Sequence, residues 1–480
     1  MTSLPQDADR TGRVLVWAIG ALLLVRLGSL ALYPLMDNTE ARYADIARRM
    51  LVSGDWVTLW FSDSQPFWGK PPLSIWVTAL SFKVFGVNEF AARLPHLMIG
   101  VAVAGLAWWH ARRNSSRAAW HATAWLGASS LFFVASGSVM TDMTMTLGTT
   151  LVMVGFWNAL HADKPGGAVM PWCMVFGAMV GLLAKGPVSA ILWGAPIVAW
   201  LVFTGRLGLA WQRIAWLRGA AVVLALTLPW YLWAENRTPG FVEYFIVGEH
   251  WNRFVNPGWT GDLYGSAHRF PRGSIWVFAL AAIAPWPLLL PAMLPARHAA
   301  PAARAAKTSD GEASYLLLWA LAPCLFFTLA GNILWTYVLP GLPAFALLAG
   351  RWTATRKRRR WAEAVVTAGV LASAAVTSGL LIAARDSSHF DRWSARSLVS
   401  DFKLRSQPGE PLYFLGRVPF SASFYSNGQA RALESVDALP AGHVAFIVLS
   451  DARLAAMPVE QRARLTPLVH SASGVLASWH

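Results

Sequence analysis

Apolar runs fill most of the chain from Val14 almost to Arg385, separated by short polar or basic connections. Runs of roughly 17 to 25 apolar residues are long enough to cross a bilayer as helices. About eleven of them can be marked out, near residues 14–35, 94–111, 117–135, 141–160, 169–184, 187–204, 214–234, 273–295, 313–330, 333–350 and 361–384. The pattern predicts a polytopic α-helical membrane protein. The first run is long and lacks a small-residue cleavage site, so a retained anchor is expected rather than a removed signal peptide.

Three stretches depart from this pattern. In "TEARYADIARRML" the apolar or aromatic positions Tyr43, Ile46, Ala47 and Met50 recur three and four apart, which predicts an amphipathic helix at the membrane surface. Its other face carries Glu40, Asp45, Arg48 and Arg49, and solvent is the expected neighbour of the last three. "PPLSIWVTALSFKVFG" (residues 71–86) is apolar, but counting it as a span would part Arg112, Arg113 and Arg117 from the other basic clusters. A short helix lying on or dipping into the outer surface is predicted instead. Beyond residue 385, "PLYFLG" and "HVAFIVLS" have the length and composition of strands, and "DARLAAMPVEQRARL" that of a helix. The expected division is a transmembrane catalytic domain over 1–385, with amphipathic helices in the loop 36–93, and a small α/β domain over 386–480.

Hydrophobic residues make up 55% of the chain and charged residues 14%, about half the charged share of a soluble domain. The formal net charge of +15 would suggest nucleic acid in a soluble protein, but here the basic residues sit in short connections between apolar runs. These clusters are Arg10 and Arg13; Arg112, Arg113 and Arg117; Arg206, Arg213 and Arg218; Arg297, Arg304 and Lys307; and "RKRRR" at 356–360. Short loops rich in Lys and Arg stay in the cytoplasm. The N-terminus is therefore expected inside, and, with an odd number of spans, the segment after residue 385 outside, on the periplasmic face of a bacterial inner membrane. Cys173 and Cys324 both fall in apolar runs and read as packing residues.

The same topology gathers ionisable residues on the outer face. Asp37, Glu40 and Arg42 follow the first run directly, Lys70 stands in "FWGKPPL", Asp142 in "VMTDMTM" and Lys185 in "LLAKGP". A second long loop adds "VGEHWNRF" (Glu249, His250, Arg253) and "SAHRFP" (His268, Arg269), and Tyr337 lies in "LWTYVLPGLP". Taken singly, Lys185 and Arg269 read equally well as cations snorkelling to lipid phosphates, and Asp142 as a helix cap. Charge at a membrane edge is costly, however, and its convergence on one side predicts an outward-facing polar cavity. Cations there suit a phosphate leaving group, and a carboxylate suits a nucleophile that must be bound or deprotonated. Arg42, Lys185 and Arg269 are counted with the phosphate-binding cations, and Asp37, Glu40 and Asp142 are the candidate catalytic acids.

The blocks "TEARYADIARRMLVSGDWVT", "KPPLSIWVTALSFKVFGVNEFAARLP", "LLAKGP", "PWYLWAENRTPGFVEYFIVGEHWNRF" and "YVLPGLPA", in this order, resemble the bacterial branch of the dolichyl-phosphate-mannose protein mannosyltransferase superfamily, and within it the lipid A aminoarabinose transferases. The resemblance implies a GT-C glycosyltransferase fold and a sugar donor carried on undecaprenyl phosphate. It implies transfer with inversion on the periplasmic face, to lipid A, lipopolysaccharide or another glycan. Lys70 matches the family lysine that contacts the donor phosphate, Arg253 and Tyr337 fall in blocks that help hold it, and Asp142 matches the second acidic position. At the first acidic position the family aspartate falls on Thr39, so Asp37 and Glu40 both stand as substitutes. Asp37 is the expected acceptor-facing acid and Glu40 an expected structural partner of a nearby cation. The family glutamate before the lysine, associated with a bound metal, is Gly69 here. A divalent metal then rests on His250 and His268 alone, a weak ligand set, and metal-independent catalysis is expected. The partners implied are a polyprenyl-phosphate sugar, a lipid or glycan acceptor and membrane lipids, without nucleic acid. Protein O-mannosyl transfer and O-antigen ligation or polymerisation share donor and topology and stand as alternatives. A transporter fits less well, because internal repeats and broken midplane helices are not evident.

Overall fold

The computed structural model describes residues 6–37, 39–162, 169–256, 259–265, 268–293, 311–383, 387–407, 409–439 and 445–480. Arg297, Arg304 and Lys307 of the fourth basic cluster lie outside the described residues, as does the side chain of Arg10.

Every predicted apolar run contains helix, but the helices differ in length. Gly12–Ser29, Glu89–Ala111, Thr141–Leu160, Pro187–Thr204, Trp216–Arg237 and Arg359–Ala383 are each long and apolar enough to cross a membrane. A bent pair, Ser274–Ala282 and Trp286–Met293, is long and apolar enough only when taken together, with 96° between its halves. Pro285 and Pro287 lie at this break, where each removes a backbone donor. Leu73–Phe85, Pro171–Lys185 and Glu312–Phe327 are apolar but shorter. The run 117–135 is divided at Ser129, whose extended backbone parts Ser116–Ala128 from Ser130–Ala135. The run 333–350 opens as a tight 3-10 turn, Trp335–Gly341, before Leu342–Ala354. The chain is a multi-pass membrane protein.

Thr141–Leu160 is the central helix and is buried on nearly all sides. Its threonines cost little there, because Thr146 and Thr150 donate to the carbonyls of Asp142 and Thr146, one turn back. Gly148 sets its neighbour: a Cβ there would lie 2.6 Å from the Gly181 nitrogen and 2.7 Å from the Gly177 oxygen. Only small residues allow backbones this close. The glycine contact fixes Val169–Lys185 against the central helix, with Lys185 at the end of one beside Asp142 at the start of the other.

The two ends of the bundle have different chemistry. At one end Arg117 bonds to the Ala354 and Arg359 carbonyls, Arg351 pairs with Glu312, and Arg213 bonds to the Leu160 and Ala162 carbonyls. The opposite end carries Asp142, Lys185 and the loops 36–88 and 238–271.

The C-terminal layer is a five-stranded sheet of order β2-β1-β3-β5-β4, built from β1 Leu412–Leu415, β2 Ala430–Leu433, β3 Ala445–Leu449, β4 Leu465–Ser471 and β5 Gly474–Trp479. β1 runs parallel to β2 and β3, while β5 pairs antiparallel with β3 and β4. The predicted strands are β1 and β3. The predicted single helix is two short ones, Asp451–Ala456 and Val459–Ala463, because Pro458 stands between them.

The helix predicted over "TEARYADIARRML" is Glu40–Ser53, but its polar face is not solvated. Asp45 is 2% exposed and Arg48 6%. The short helix Phe420–Tyr425 of the C-terminal layer docks on that face: Ser423 Oγ donates to Asp45 Oδ2 at 2.8 Å and accepts from Arg49 at 3.1 Å. Asp45 also holds Arg48 and Arg49 at 2.7 and 2.9 Å, and Arg49 reaches Asp63. A helical wheel cannot distinguish water from a polar partner brought in from about 380 residues away in sequence.

Candidate active site

Around Lys70 the local chain is held by aromatics. Tyr264 accepts from the Trp68 N–H at 3.0 Å and donates to the Pro66 carbonyl at 2.7 Å, while Phe67 stacks edge-on against it. The following Pro71 and Pro72 stiffen the exit into Leu73–Phe85. Lys70 is thereby aimed at Glu249, with Nζ 3.1 Å from Oε2, and it also touches its neighbour's carbonyl at Gly69.

Glu249 lies in Glu243–Asn252, a π-helical stretch of ten residues, a wide helical form that recurs at functional sites. Both of its oxygens accept from Arg253 Nη1 at 3.1 Å, and Asp262 adds a second carboxylate at 3.5 Å from Arg253. Burial opposes ionisation of Glu249, but Lys70 and Arg253 outweigh it and hold its carboxyl below the usual glutamate value. Burial likewise opposes the charge on Arg253, and Glu249 more than restores it. The Nε of Arg253 is buried without a partner among the described residues.

A second pair adjoins the first. Lys185 Nζ lies 2.5 Å from Asp142 Oδ1 and 4.5 Å from the centre of the Tyr337 ring. Tyr337 is within electrostatic reach of Arg253, Lys70, Asp142 and Glu249, which makes the two pairs one cluster. His250 ties them through the backbone, with Nδ1 2.7 Å from the Phe245 carbonyl and Nε2 3.2 Å from that of Lys185. Burial lowers the affinity of His250 for a proton.

The structure thus brings together Lys70, Asp142, Lys185, Arg253 and Tyr337. Arg42 sits beside them, giving Nη1 to the Tyr264 carbonyl at 2.8 Å and packing over Tyr43 at 5.1 Å, with its buried Nε unpartnered among the described residues. Arg269 and His268 are exposed, and their strand-like backbone is pinned to Asn332. Asp37 and Glu40 make their contacts elsewhere. Asp37 accepts from Ser421 N at 2.8 Å and Ser421 Oγ at 2.5 Å, and its own N–H donates to the Trp393 carbonyl. Burial raises the Asp37 carboxyl above its usual value, against the opposing pull of Ser421. Glu40 is clamped by Arg93 at 3.0 and 2.8 Å.

The residues do not assemble a metal site at the Lys70 loop. Among the described residues no three His, Cys, Asp or Glu side chains converge for a metal. Both ring nitrogens of His250 face backbone carbonyls, and a Cβ on Gly69 would meet the Phe67 ring at 2.9 Å. The sequence groups Glu249 with the outer-face ionisable residues without giving it a role, and it does not single out Asp262 or Arg93. The spacing of Glu249 and Arg253, one helical turn apart, was the available signal for the first. Asp262 and Arg93 carry none, because their partners are distant in sequence.

Residues 15–245 match the family model described as dolichyl-phosphate-mannose-protein mannosyltransferase. The chain is 31% identical over 387 residues to the undecaprenyl phosphate-alpha-4-amino-4-deoxy-L-arabinose arabinosyl transferase 1 of Pseudomonas fluorescens, which covers 77% of this chain and 64% of that protein. It is 30% identical to the corresponding transferase of Pseudomonas aeruginosa strain PAO1, over 70% of this chain and 60% of that one. The chain spans less than two thirds of the length of these curated relatives. In three dimensions it resembles ArnT from Cupriavidus metallidurans bound to undecaprenyl phosphate, with a TM-score of 0.82 over 98% of both chains at 21% identity. That likeness extends through the C-terminal sheet and fixes the fold as GT-C. The match to the dolichyl-phosphate-mannose-protein mannosyltransferase model over residues 15–245 and the similarity to the arabinosyl transferases over 77% of the chain place its sequence resemblance in that family.

Proposed function

We propose that the protein is an inner-membrane glycosyltransferase that moves a sugar, a pentose or a hexose, from an undecaprenyl-phosphate carrier to an acceptor on the periplasmic face, with lipid A or lipopolysaccharide the favoured acceptor. The observation that carries this reading is the half-buried cluster of Lys70, Arg253, Lys185 and Tyr337 at the end of the bundle opposite the basic connections. The relatives are named for an undecaprenyl-phosphate-linked sugar, and basic connections face the cytoplasm by the usual charge rule.

In this reading Lys70 and Arg253 hold the donor phosphate and stabilise the charge that grows on it as the bond to the anomeric carbon breaks. The electron pair of that bond stays on the phosphate oxygen, and the acceptor oxygen attacks from the opposite face, giving inversion. A phosphate acceptor is already anionic and needs only positioning, a role assigned here to Arg42. A hydroxyl acceptor needs a base, and Asp37, whose carboxyl is raised by burial, is the acid assigned to the acceptor side. Asp142, paired to Lys185, orients that lysine, and Glu40 anchors the loop through Arg93.

The test is transfer by the purified protein from undecaprenyl-phosphate sugars to lipid A, followed by mass spectrometry. Transfer that survives Lys70→Ala unchanged would remove the cluster from the reaction. Orientation is tested by a reporter active only in the cytoplasm, fused after His480. Silence is expected, and strong activity would reverse the topology.

A further inference from the structure

The cations assigned to the donor phosphate are not waiting empty-handed. Lys70 and Arg253 share one carboxylate, Glu249, with contacts of 3.1 Å from each, and Asp262 stands 3.5 Å from Arg253. Two cations therefore face two carboxylates. A phosphate entering here meets no surplus of positive charge from this group alone and lies beside a carboxylate that stays ionised. The side chain of Glu249 is 7% exposed, so water screens little of the repulsion.

Transfer changes the charge of the carrier. The donor is a phosphodiester bearing one negative charge. When the anomeric carbon–oxygen bond breaks and its electrons remain on the phosphate, the carrier becomes a phosphomonoester, with a charge of about −1.5 to −2 near neutral pH. The acceptor oxygen forms the new glycosidic bond, and a hydroxyl acceptor gives up its proton. A fixed carboxylate at this position penalises the second state more than the first.

We infer that Glu249 is a specificity-determining residue, which lets the Lys70–Arg253 pair hold the monoanionic donor while weakening its grip on the dianionic carrier product, and so promotes product release. This rests on the phosphate-binding role proposed above for Lys70 and Arg253. The Arg253 side chain keeps 16% of its surface, which leaves part of the guanidinium open to an incoming phosphate without displacing Glu249.

The inference is tested by binding two probes to the full-length protein in detergent: a short-chain prenyl phosphate and its methyl ester, at about pH 8, where the former is dianionic. In the unaltered protein the monoester should bind no more than about threefold more tightly than the methyl ester, despite its greater charge. Glu249→Gln should tighten the monoester by about tenfold or more and the methyl ester by less than about threefold. In multiple turnover the same variant should show a burst followed by slow release. An equal change for both probes, or weakening of both, overturns the inference. If Glu249→Gln proves unstable, the unaltered protein decides alone, since a preference of more than about tenfold for the monoester also overturns it. Lys70→Ala separates this from failure of the underlying reading: if neither probe loses affinity in that variant, the phosphate site itself is misassigned.

Discussion

Arg93 and Arg253 are both arginines paired with a glutamate on the same outer face, and the two pairs differ in how much of each arginine is already used. Arg93 is 0% exposed and uses all five of its N–H groups, on both oxygens of Glu40 and on the carbonyls of Leu30, Tyr33 and Pro34. Its ring neighbour Tyr33 lies 3.7 Å away. Nothing remains with which to bind a ligand. Arg253 has its Nη1 on Glu249, a longer contact to Asp262 and an idle Nε, and its side chain keeps 16% of its surface. A saturated ion pair closes the fold where the first helix exits, whereas an unsaturated one beside Lys70 retains capacity for an anion. Unspent donors and the surface that Arg253 keeps, rather than charge, separate anchor from site.

The largest effect should come from breaking the saturated pair. Arg93→Met leaves Glu40 buried and uncompensated, a loss of about 3 to 5 kcal/mol. Folded yield and melting temperature should collapse, and adding Glu40→Met should recover part of the loss. If the single variant melts normally, Arg93 is no anchor.

Next is Lys70→Ala. The protein should fold, while transfer falls by a factor of about 10 to 150, corresponding to a charge-assisted contact of about 1.5 to 3 kcal/mol. Unchanged kcat/KM would place Lys70 outside the site.

The two candidate acids give a third contrast. Asp37→Asn should leave melting nearly unchanged while cutting transfer to a hydroxyl acceptor by about 100-fold or more. Glu40→Gln should instead lower the melting temperature. A folded but inactive Glu40→Gln variant beside a fully active Asp37→Asn variant would reverse the roles.

Their pH dependence has opposite signs. The folded-state carboxyl of Glu40 sits below its ordinary 4.5, so its contribution is present above that pH and is lost as the pH falls through the lowered value. Asp37 sits above its ordinary 3.8, so its contribution is present below that pH and is lost as the pH rises through the raised value. Melting curves across the acid range should therefore lose their steepest segment in Glu40→Gln but not in Asp37→Asn.

The smallest effect tests the seam between the C-terminal layer and the surface helix. Ser423→Ala removes the hydrogen bond to Asp45 and should cost about 1 kcal/mol, read as a small shift in melting. A larger loss would mean that the seam, not the Arg93 pair, governs the outer face.

Much of this molecule is determined by sequence-local physics. Spanning helices follow from runs of apolar residues, since an unpaired backbone amide in lipid is costly and the helix satisfies each one internally. The helix Glu40–Ser53, the short helix Leu73–Phe85 and the strands β1 and β3 follow from local periodicity for the same kind of reason. Lys70, Asp142, Lys185 and Arg253 were legible as a set because charge at a membrane edge is rare enough to be noticed, and Tyr337 through the resemblance of its block. What each charge is paired with was decided only by the tertiary structure. Glu249 reaches Lys70 across 179 positions, Arg93 reaches Glu40 across 53, and Ser421 reaches Asp37 across 384. The turn that solvates Asp45 in a helical wheel and the sheet layer that buries it are encoded in different parts of the chain. Coulomb and hydrogen-bond energies depend on distances of a few ångströms, and those distances exist only once the helices and the sheet have packed.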